Sequence, residues 1–136
     1  MLWVASEESD VDLLYDYSDD VESYIEGTRD EWVAWLKQQI LTNSPLALIF
    51  FEEEGKVKGY CVCSKAIMPP VTKSIFVLYA HSTLASVENI QIWGEICEWA
   101  RGIGANKIEM KTKSPALFEK AYGFDQDEFT SLVLRL

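Results

Sequence analysis

The sequence has few of the residues that build metal sites and nucleic-acid interfaces. It holds one His and three Cys in 136 residues, and no two cysteines have the C-x-x-C spacing of a structural zinc site. We therefore expect no bound metal. Twelve Lys and Arg stand against 22 Asp and Glu, which gives a net charge of −10. Because nucleic-acid binding needs a basic surface, we expect no nucleic-acid partner.

Long apolar runs are also missing. No stretch approaches the roughly 20 apolar residues that cross a membrane. The first residues lack the basic region and apolar run of a secretory signal. Cys61 and Cys63 share one face of a predicted strand, and Cys97 lies on the apolar face of a predicted helix. We expect all three to be reduced core residues of a cytoplasmic protein that has no membrane partner.

The amino-acid composition, with 49% apolar and 12% aromatic residues, is typical of one globular domain, residues 1–136.

The charge is distributed unevenly along the chain. The first 54 residues carry 14 acidic and two basic side chains, whereas the remainder carries eight and ten. An acidic half indicates either a plain soluble surface or a cationic partner, such as a small amine or a basic protein. A homo-oligomer is also compatible with the sequence.

The apolar pattern predicts an α/β (α+β) domain with a mixed sheet of six or seven strands and about four helices. The order is strand, two helices, three strands, helix, strand, helix, strand. Residues 74–80 predict a buried strand, and the helix after it repeats apolar residues at helical spacing over residues 92–103. Thr28 and Glu31 predict a capping box before an earlier helix. Residues 131–136 predict the last strand.

Four short sequences stand in an order that is typical of one protein family. They are the hairpin at 54–60, the strand end at 78–81, the Ala-x-x-x-Gly helix close within 99–105, and the helix at 117–122 followed by Gly-Phe. Together they resemble the GNAT superfamily of acyl-CoA-dependent N-acetyltransferases over nearly the whole chain. The resemblance implies a single GNAT-like domain that uses acetyl-CoA and passes its acetyl group to a primary amine by direct attack.

The resemblance also implies a cofactor site between the central strand and the helix after it. In the family, a loop of pattern Arg/Gln-x-x-Gly-x-Gly/Ala binds the pyrophosphate through its backbone N–H groups. The corresponding positions here hold Ala85, Glu88 and Ile90, so we expect a divergent member with a degenerate loop. For Ser86, capping of the helix is the alternative role. The residues expected to bind the cofactor are Leu78, Tyr79, Ala80, Ser82, Thr83, Ser86 and Val87.

A second departure concerns the general acid. The position where the family often has Tyr holds Glu119, and Tyr122 lies nearby. His81 is the single His and follows the central strand, where it could titrate near neutral pH. These three residues are the catalytic candidates, and ordinary surface or structural roles are the alternative. The expected substrate-binding residues are Tyr24, Glu26 and Trp32, which form an aromatic and acidic border that suits a cationic amine. The alternative is that they are ordinary residues of the core and its rim.

Two hypotheses therefore stay open. The first is a divergent N-acetyltransferase, because direct attack depends on positioning more than on special side chains. The second is a catalytically inactive GNAT fold that acts as a protein-binding or structural component.

Overall fold

The computed structural model describes residues 1–17, 27–42, 45–68, 72–82, 86–111, 115–126 and 132–136. Within them, five strands form one sheet, with helices on both of its faces. The strands are β1 (Leu2–Val4), β2 (Leu46–Glu53), β3 (Lys56–Met68), β4 (Thr72–Ser82) and β5 (Lys107–Met110). The helices are a 3-10 helix (Glu8–Tyr17), α1 (Arg29–Leu41), α2 (Ser86–Gly102) and α3 (Pro115–Tyr122).

The sheet is mixed and its strands follow the order β1-β2-β3-β4-β5. Neighbouring strands are antiparallel from β1 to β4, whereas β4 and β5 are parallel. A parallel pair needs a crossover connection, and α2 supplies it. Among the described helices, none combines the length and the apolar character needed to cross a membrane.

The predicted capping box at the start of α1 is confirmed. The Thr28 hydroxyl accepts a hydrogen bond from the backbone N–H of Glu31 at 3.2 Å and donates one to the Glu31 carboxylate at 3.1 Å. These bonds use one of the free N–H groups of the first helical turn. The first residue of α1 is thus set by two residues that lie close together in the sequence.

The hairpin between β2 and β3 depends on two backbone conformations. Glu54 and Gly55 both have positive φ, 53° and 76°, as a two-residue hairpin turn requires. Further along β3, a Cβ atom on Gly59 would lie 2.5 Å from the backbone oxygen of His81. Glycine therefore allows β3 to approach the end of β4 closely.

Two apolar clusters hold the helices to the sheet. The cluster on the face covered by the 3-10 helix and α1, here the α1 face, contains Val11, Leu14, Trp32, Val33, Leu36, Leu48, Phe50, Tyr60 and Val62. The cluster on the opposite face, here the α2 face, contains Ala47, Ile49, Phe51, Cys61, Cys63, Ile75, Val77, Ile92, Ile96 and Ala100. Alternate strand residues enter alternate clusters, as the two-residue period of a strand requires.

The cysteines are core or partly buried residues with free thiols, as expected. Cys61 and Cys63 are buried on the α2 face and Cys97 is half-buried on α2. The hydrogen bond that the Cys61 thiol donates to Cys63, together with burial, raises the pKa of Cys61. The same bond lowers the pKa of Cys63. The buried pair therefore behaves as packed side chains.

Two details of the predicted fold are wrong in the described part of the chain. The sheet has five strands there and not six or seven. The predicted strand at 131–136 is not formed at 132–136, where the backbone is irregular and the side chains are exposed. Alternating apolar residues give an extended segment one apolar side. A strand also needs the edge of another strand to pair with, and the sequence does not show which edge is available.

Candidate functional site

The sheet opens at Leu78, where β4 carries a β-bulge. Val62 of β3 pairs with Tyr79 and Cys63 pairs with Val77, so Leu78 has no counterpart on β3. In the described residues, the parallel ladder between β4 and β5 ends where Val77 pairs with Met110. A bulge bends its strand and increases the local twist. The described ladder between the two parallel strands thus ends just before Leu78, and we call the region beside Leu78 at this end of the ladder the strand gap.

A polar contact joins the two strands before they part. The buried hydroxyl of Ser74 on β4 donates a hydrogen bond to the carboxylate of Glu109 on β5. Lys107 adds an ion pair to Glu109 at 3.2 Å. The hydrogen bond from Ser74 and then the charge of Lys107 lower the pKa of Glu109. The strand gap is thus bounded on one side by a fixed cross-strand link.

Where the structure describes them, the residues expected to bind the cofactor lie along the second half of β4 and at the start of α2. Leu78 is 38% exposed at the bulge, and Ala80 is also exposed. Tyr79 and Ser82 are half-buried on the same strand.

The remaining cofactor predictions concern the loop and the helix start. Ser86 and Val87 are the first two residues of α2. Thr83 lies outside the described residues.

Three predicted site residues meet in one aromatic cluster on the α1 face. The ring centroid of Trp32 lies 5.6 Å from that of Tyr79 and 5.8 Å from that of Tyr60. The ring of His81 lies 6.1 Å from that of Tyr60. Trp32 is only 7% exposed, and its indole N–H finds no hydrogen-bond acceptor in the described part of the chain. Tyr24 and Glu26, the other expected substrate-binding residues, lie outside the described residues.

A cleft of about 610 Å³ adjoins this cluster and reaches the strand gap. It lies between α1 and the sheet, and its described lining residues are Trp35, Gln39, Pro45, Leu46, Ser64, Leu78 and Tyr79. None of these described residues carries a charge, and Trp35 is 41% exposed. We call this the aromatic cleft.

Sequence reasoning missed five members of the aromatic cleft, namely Trp35, Gln39, Pro45, Leu46 and Ser64. Trp35 stands three residues after Trp32, and this spacing places it beside Trp32 on the helix, so the sequence did contain a signal for it. Gln39 stands four residues after Trp35 and so lies on the same side of the helix, whereas Pro45, Leu46 and Ser64 carry no such signal. These last three residues lie outside α1, and the fold brings them to it.

A second cleft, of about 190 Å³, lies at the start of α2 and is rich in carboxylates. Its described lining carries the carboxylates of Glu52, Glu53, Glu88 and Glu95 together with two cationic residues, Lys58 and Met1, whose terminal ammonium group donates a hydrogen bond to the backbone oxygen of Glu52. We call it the acidic cleft. Its carboxylates outnumber its ammonium groups, and this excess of negative charge beside the first turns of α2 repels an anion.

The catalytic candidates are divided between the two faces of the sheet. The Tyr122 ring on α3 packs against Trp93 of α2 at 6.1 Å and against Phe118 at 5.3 Å. Glu119 on the same helix is exposed. His81 lies on the α1 face beside Tyr60. The structure therefore places His81 with the aromatic cluster and the other two candidates with α2.

No protein-family model matches the chain, and no curated protein sequence matches it. Several solved structures do share its fold. A predicted acetyltransferase of Clostridium acetobutylicum, solved with acetyl-CoA, has 17% identity and a TM-score of 0.67, with 98% of this chain and 96% of that chain covered. The ribosomal-protein-alanine N-acetyltransferase of Brucella melitensis biovar Abortus 2308 has 11% identity and a TM-score of 0.73, with 100% and 98% covered.

A third match is AAC(6')-Iy in complex with the bisubstrate analogue CoA-S-monomethyl-acetylneamine. It has 13% identity and a TM-score of 0.72, with 100% of this chain and 97% of that chain covered. The likeness extends over the full length of both chains in all three cases, and at these identities it concerns the fold. The chain therefore has the fold of the GNAT acetyltransferases, as its sequence predicts.

Proposed function

We propose that the chain is a divergent N-acetyltransferase that transfers the acetyl group of acetyl-CoA to a primary amine by direct attack. The observation that carries the proposal is the strand gap, where the β4–β5 ladder ends at Val77 and the bulge at Leu78 leaves backbone groups unpaired. Two proteins of the same fold support it, since one was solved with acetyl-CoA and another with a CoA-linked analogue.

On the cofactor side, we assign most of the binding contacts to backbone groups. The peptide groups of Leu78 and Ala80 would hold the pantetheine arm along β4. Ser82, Thr83 and the start of α2 at Ser86 and Val87 would receive the phosphates. Acetyl-CoA supplies the reactive thioester when it is bound. Positioning of this kind accounts for much of the rate of a reaction between two bound groups.

On the acceptor side, the aromatic cleft leads to the strand gap from the α1 face. Its described lining has no carboxylate to hold a cation in charged form, and an apolar surrounding favours the neutral amine that attacks. His81, which lies beside Tyr60 on the same face, would accept the proton from the amine as a general base. Trp32 and Tyr79 would exclude water beside it. Small amines with an apolar body fit this lining.

Two residues on α3 are candidates for returning a proton to the departing thiolate. Tyr122 is half-buried against Trp93, whereas Glu119 is exposed to solvent. A proton donor works best where water does not compete with it, so we assign this role to Tyr122.

The proposal is tested by titration of the purified protein with acetyl-CoA, followed by calorimetry and thermal unfolding. A bound ligand must raise stability by mass action, by about 2.7 kcal/mol at a hundredfold excess over Kd. We expect stabilisation that weakens in Ser86→Asp, which adds a negative charge at the start of α2. Ser9→Asp, the same change on the exposed 3-10 helix, should leave it intact. No stabilisation at millimolar acetyl-CoA would contradict the proposal.

The acidic cleft favours a second candidate function, in which the fold is catalytically inactive and binds a basic protein. Its described carboxylates, Glu52, Glu53, Glu88 and Glu95, lie beside the first turns of the helix whose start an acetyl-CoA pyrophosphate would need. The same titration separates the two functions. Binding of a lysine-rich peptide without any response to acetyl-CoA would support the second candidate and exclude the first.

A further inference from the structure

The aromatic cleft is lined mainly by flat or apolar side chains. Trp35 is 41% exposed, so part of its indole is open to a ligand, and the half-buried ring of Tyr79 is supported from behind by Trp32 at 5.6 Å. Pro45 and Leu46 complete the apolar lining. The volume of about 610 Å³ lies within the range of roughly 300–1,000 Å³ that is typical of pockets for small organic ligands. Flat aromatic walls of this kind suit a ligand that contains an aromatic ring.

The described lining of the cleft carries no charge. A polyamine or a lysine-rich peptide has ammonium groups besides the one that reacts. Inside this cleft those groups would lose water without gaining a carboxylate in exchange. A ligand with a single amine avoids that cost, because its nitrogen is neutral when it attacks. The lining therefore selects against acceptors with several positive charges.

Two uncharged polar side chains, Gln39 and Ser64, also line the cleft. Within the described part of the chain, neither side chain makes a hydrogen bond, so both are available to a ligand. Ser64 pairs with Phe76, two residues before Leu78, and its level thus lies roughly 7 Å along the strand from the strand gap. That span corresponds to a short alkyl chain followed by one aromatic ring.

We infer that the acceptor is a primary amine joined to an aromatic ring by a short alkyl chain, with a hydroxyl group on the far side of the ring. The ring lies against Trp35, the hydroxyl bonds to Gln39 and Ser64, and the amine reaches the strand gap at Leu78. The acceptor class rests on the proposed function.

The transfer to such an amine balances without a further reactant. The nitrogen forms a bond with the acetyl carbon, and the carbon–sulfur bond of the thioester breaks. One proton leaves the nitrogen and one joins the sulfur, so the products are an amide and the free thiol of CoA.

The first experiment detects binding without catalysis. Tyramine and spermidine are added separately, at equal millimolar concentrations, to ¹⁵N-labelled protein with and without acetyl-CoA. We expect tyramine to shift the indole N–H resonance of Trp35 and the side-chain amide resonances of Gln39, and spermidine to leave them in place.

The outcomes of this titration separate the acceptor class from the proposed function. If acetyl-CoA binds and tyramine shifts neither resonance, the acceptor class is overturned and the acetyltransferase proposal stands. If tyramine shifts both resonances and acetyl-CoA does not bind, the ligand class of the cleft is supported and acetyl transfer is refuted. If neither compound binds, both proposals fail.

The second experiment measures kcat/KM from the release of the CoA thiol. We expect phenylethylamine to be preferred over cyclohexylethylamine about three- to tenfold, because contact between aromatic rings is favourable beyond the area that it buries. Ser64→Ala should lower kcat/KM for tyramine about two- to tenfold and leave phenylethylamine unchanged, since only tyramine has the hydroxyl. Equal values for the phenyl and cyclohexyl amines, or a preference for spermidine, overturn the inference.

Variants of α1 test the contact between the ring and Trp35. Trp35→Ala should abolish the preference for the phenyl amine, mainly through KM, and Trp35→Phe should restore it. Leu41→Ala is the matched control, because it shortens another exposed apolar side chain of the same helix outside the cleft, and it should keep the preference. A Trp35→Ala protein that retains the full preference contradicts the assignment of the ring to this side chain.

Discussion

The sharpest structural prediction concerns Gly59→Ala. A Cβ atom at this position would lie 2.5 Å from the backbone oxygen of His81 and 3.0 Å from the Cα of Ser82. Both atoms belong to the backbone, so β4 must move by roughly 1 Å to restore an ordinary contact, and overpacking of this kind typically costs about 1–3 kcal/mol. We expect the free energy of unfolding to fall by that amount in urea denaturation. The acetyl-CoA response should weaken as well, since the end of β4 is displaced.

Gly94→Ala provides the matched control. Gly94 is exposed within α2, and a Cβ there meets nothing within 4 Å. Because alanine is the better helix former, the same substitution should stabilise the protein by about 0.5–1 kcal/mol. The two changes are identical in composition and opposite in expected sign. A Gly59→Ala protein as stable as wild type would refute the close approach of β3 to β4.

Three further predictions test other parts of the structure. Thr28→Ala removes the N-cap of α1 and should lower the free energy of unfolding by about 1 kcal/mol in urea denaturation; an unchanged midpoint would contradict the cap. Ser74→Ala should raise the pKa of Glu109. Since the folded-state pKa of Glu109 lies below its ordinary value, this stabilisation is present at neutral pH and is lost as the pH falls through the folded-state pKa, so the variant's stability deficit in urea denaturation should shrink on acidification. Glu88→Gln should raise acetyl-CoA affinity in calorimetry about two- to fivefold, and less at high salt; equal affinities would show that the acidic cleft does not face the phosphates.

Local chemistry made part of the fold predictable. The capping box of Thr28 and Glu31 lies within four residues, and the hairpin turn at Glu54 and Gly55 requires positive φ at both positions. Each is decided by neighbours in sequence, so no knowledge of the tertiary structure was needed. The order of elements followed from periodicity in the same way.

The features that matter most for function were not predictable in this way. The apolar run at 74–80 contains no signal that Leu78 is bulged, because a bulge depends on how β3 and β4 pair. The aromatic cleft brings Trp35 of α1 together with Ser64 of β3, which are 29 positions apart by their residue numbers. The alternation of apolar residues at 131–136 predicts a strand, but the sequence does not show which strand edge would pair with it.

The central claim is that acetyl-CoA binds at the strand gap, and an amide NMR titration tests it most directly. With ¹⁵N-labelled protein, acetyl-CoA should shift the amide resonances of Leu78 and Ala80, together with those at the start of α2. The resonances of β1 at Leu2–Val4, on the far edge of the sheet, should stay in place. Shifts that leave Leu78 and Ala80 unchanged at saturating or millimolar acetyl-CoA would contradict the claim.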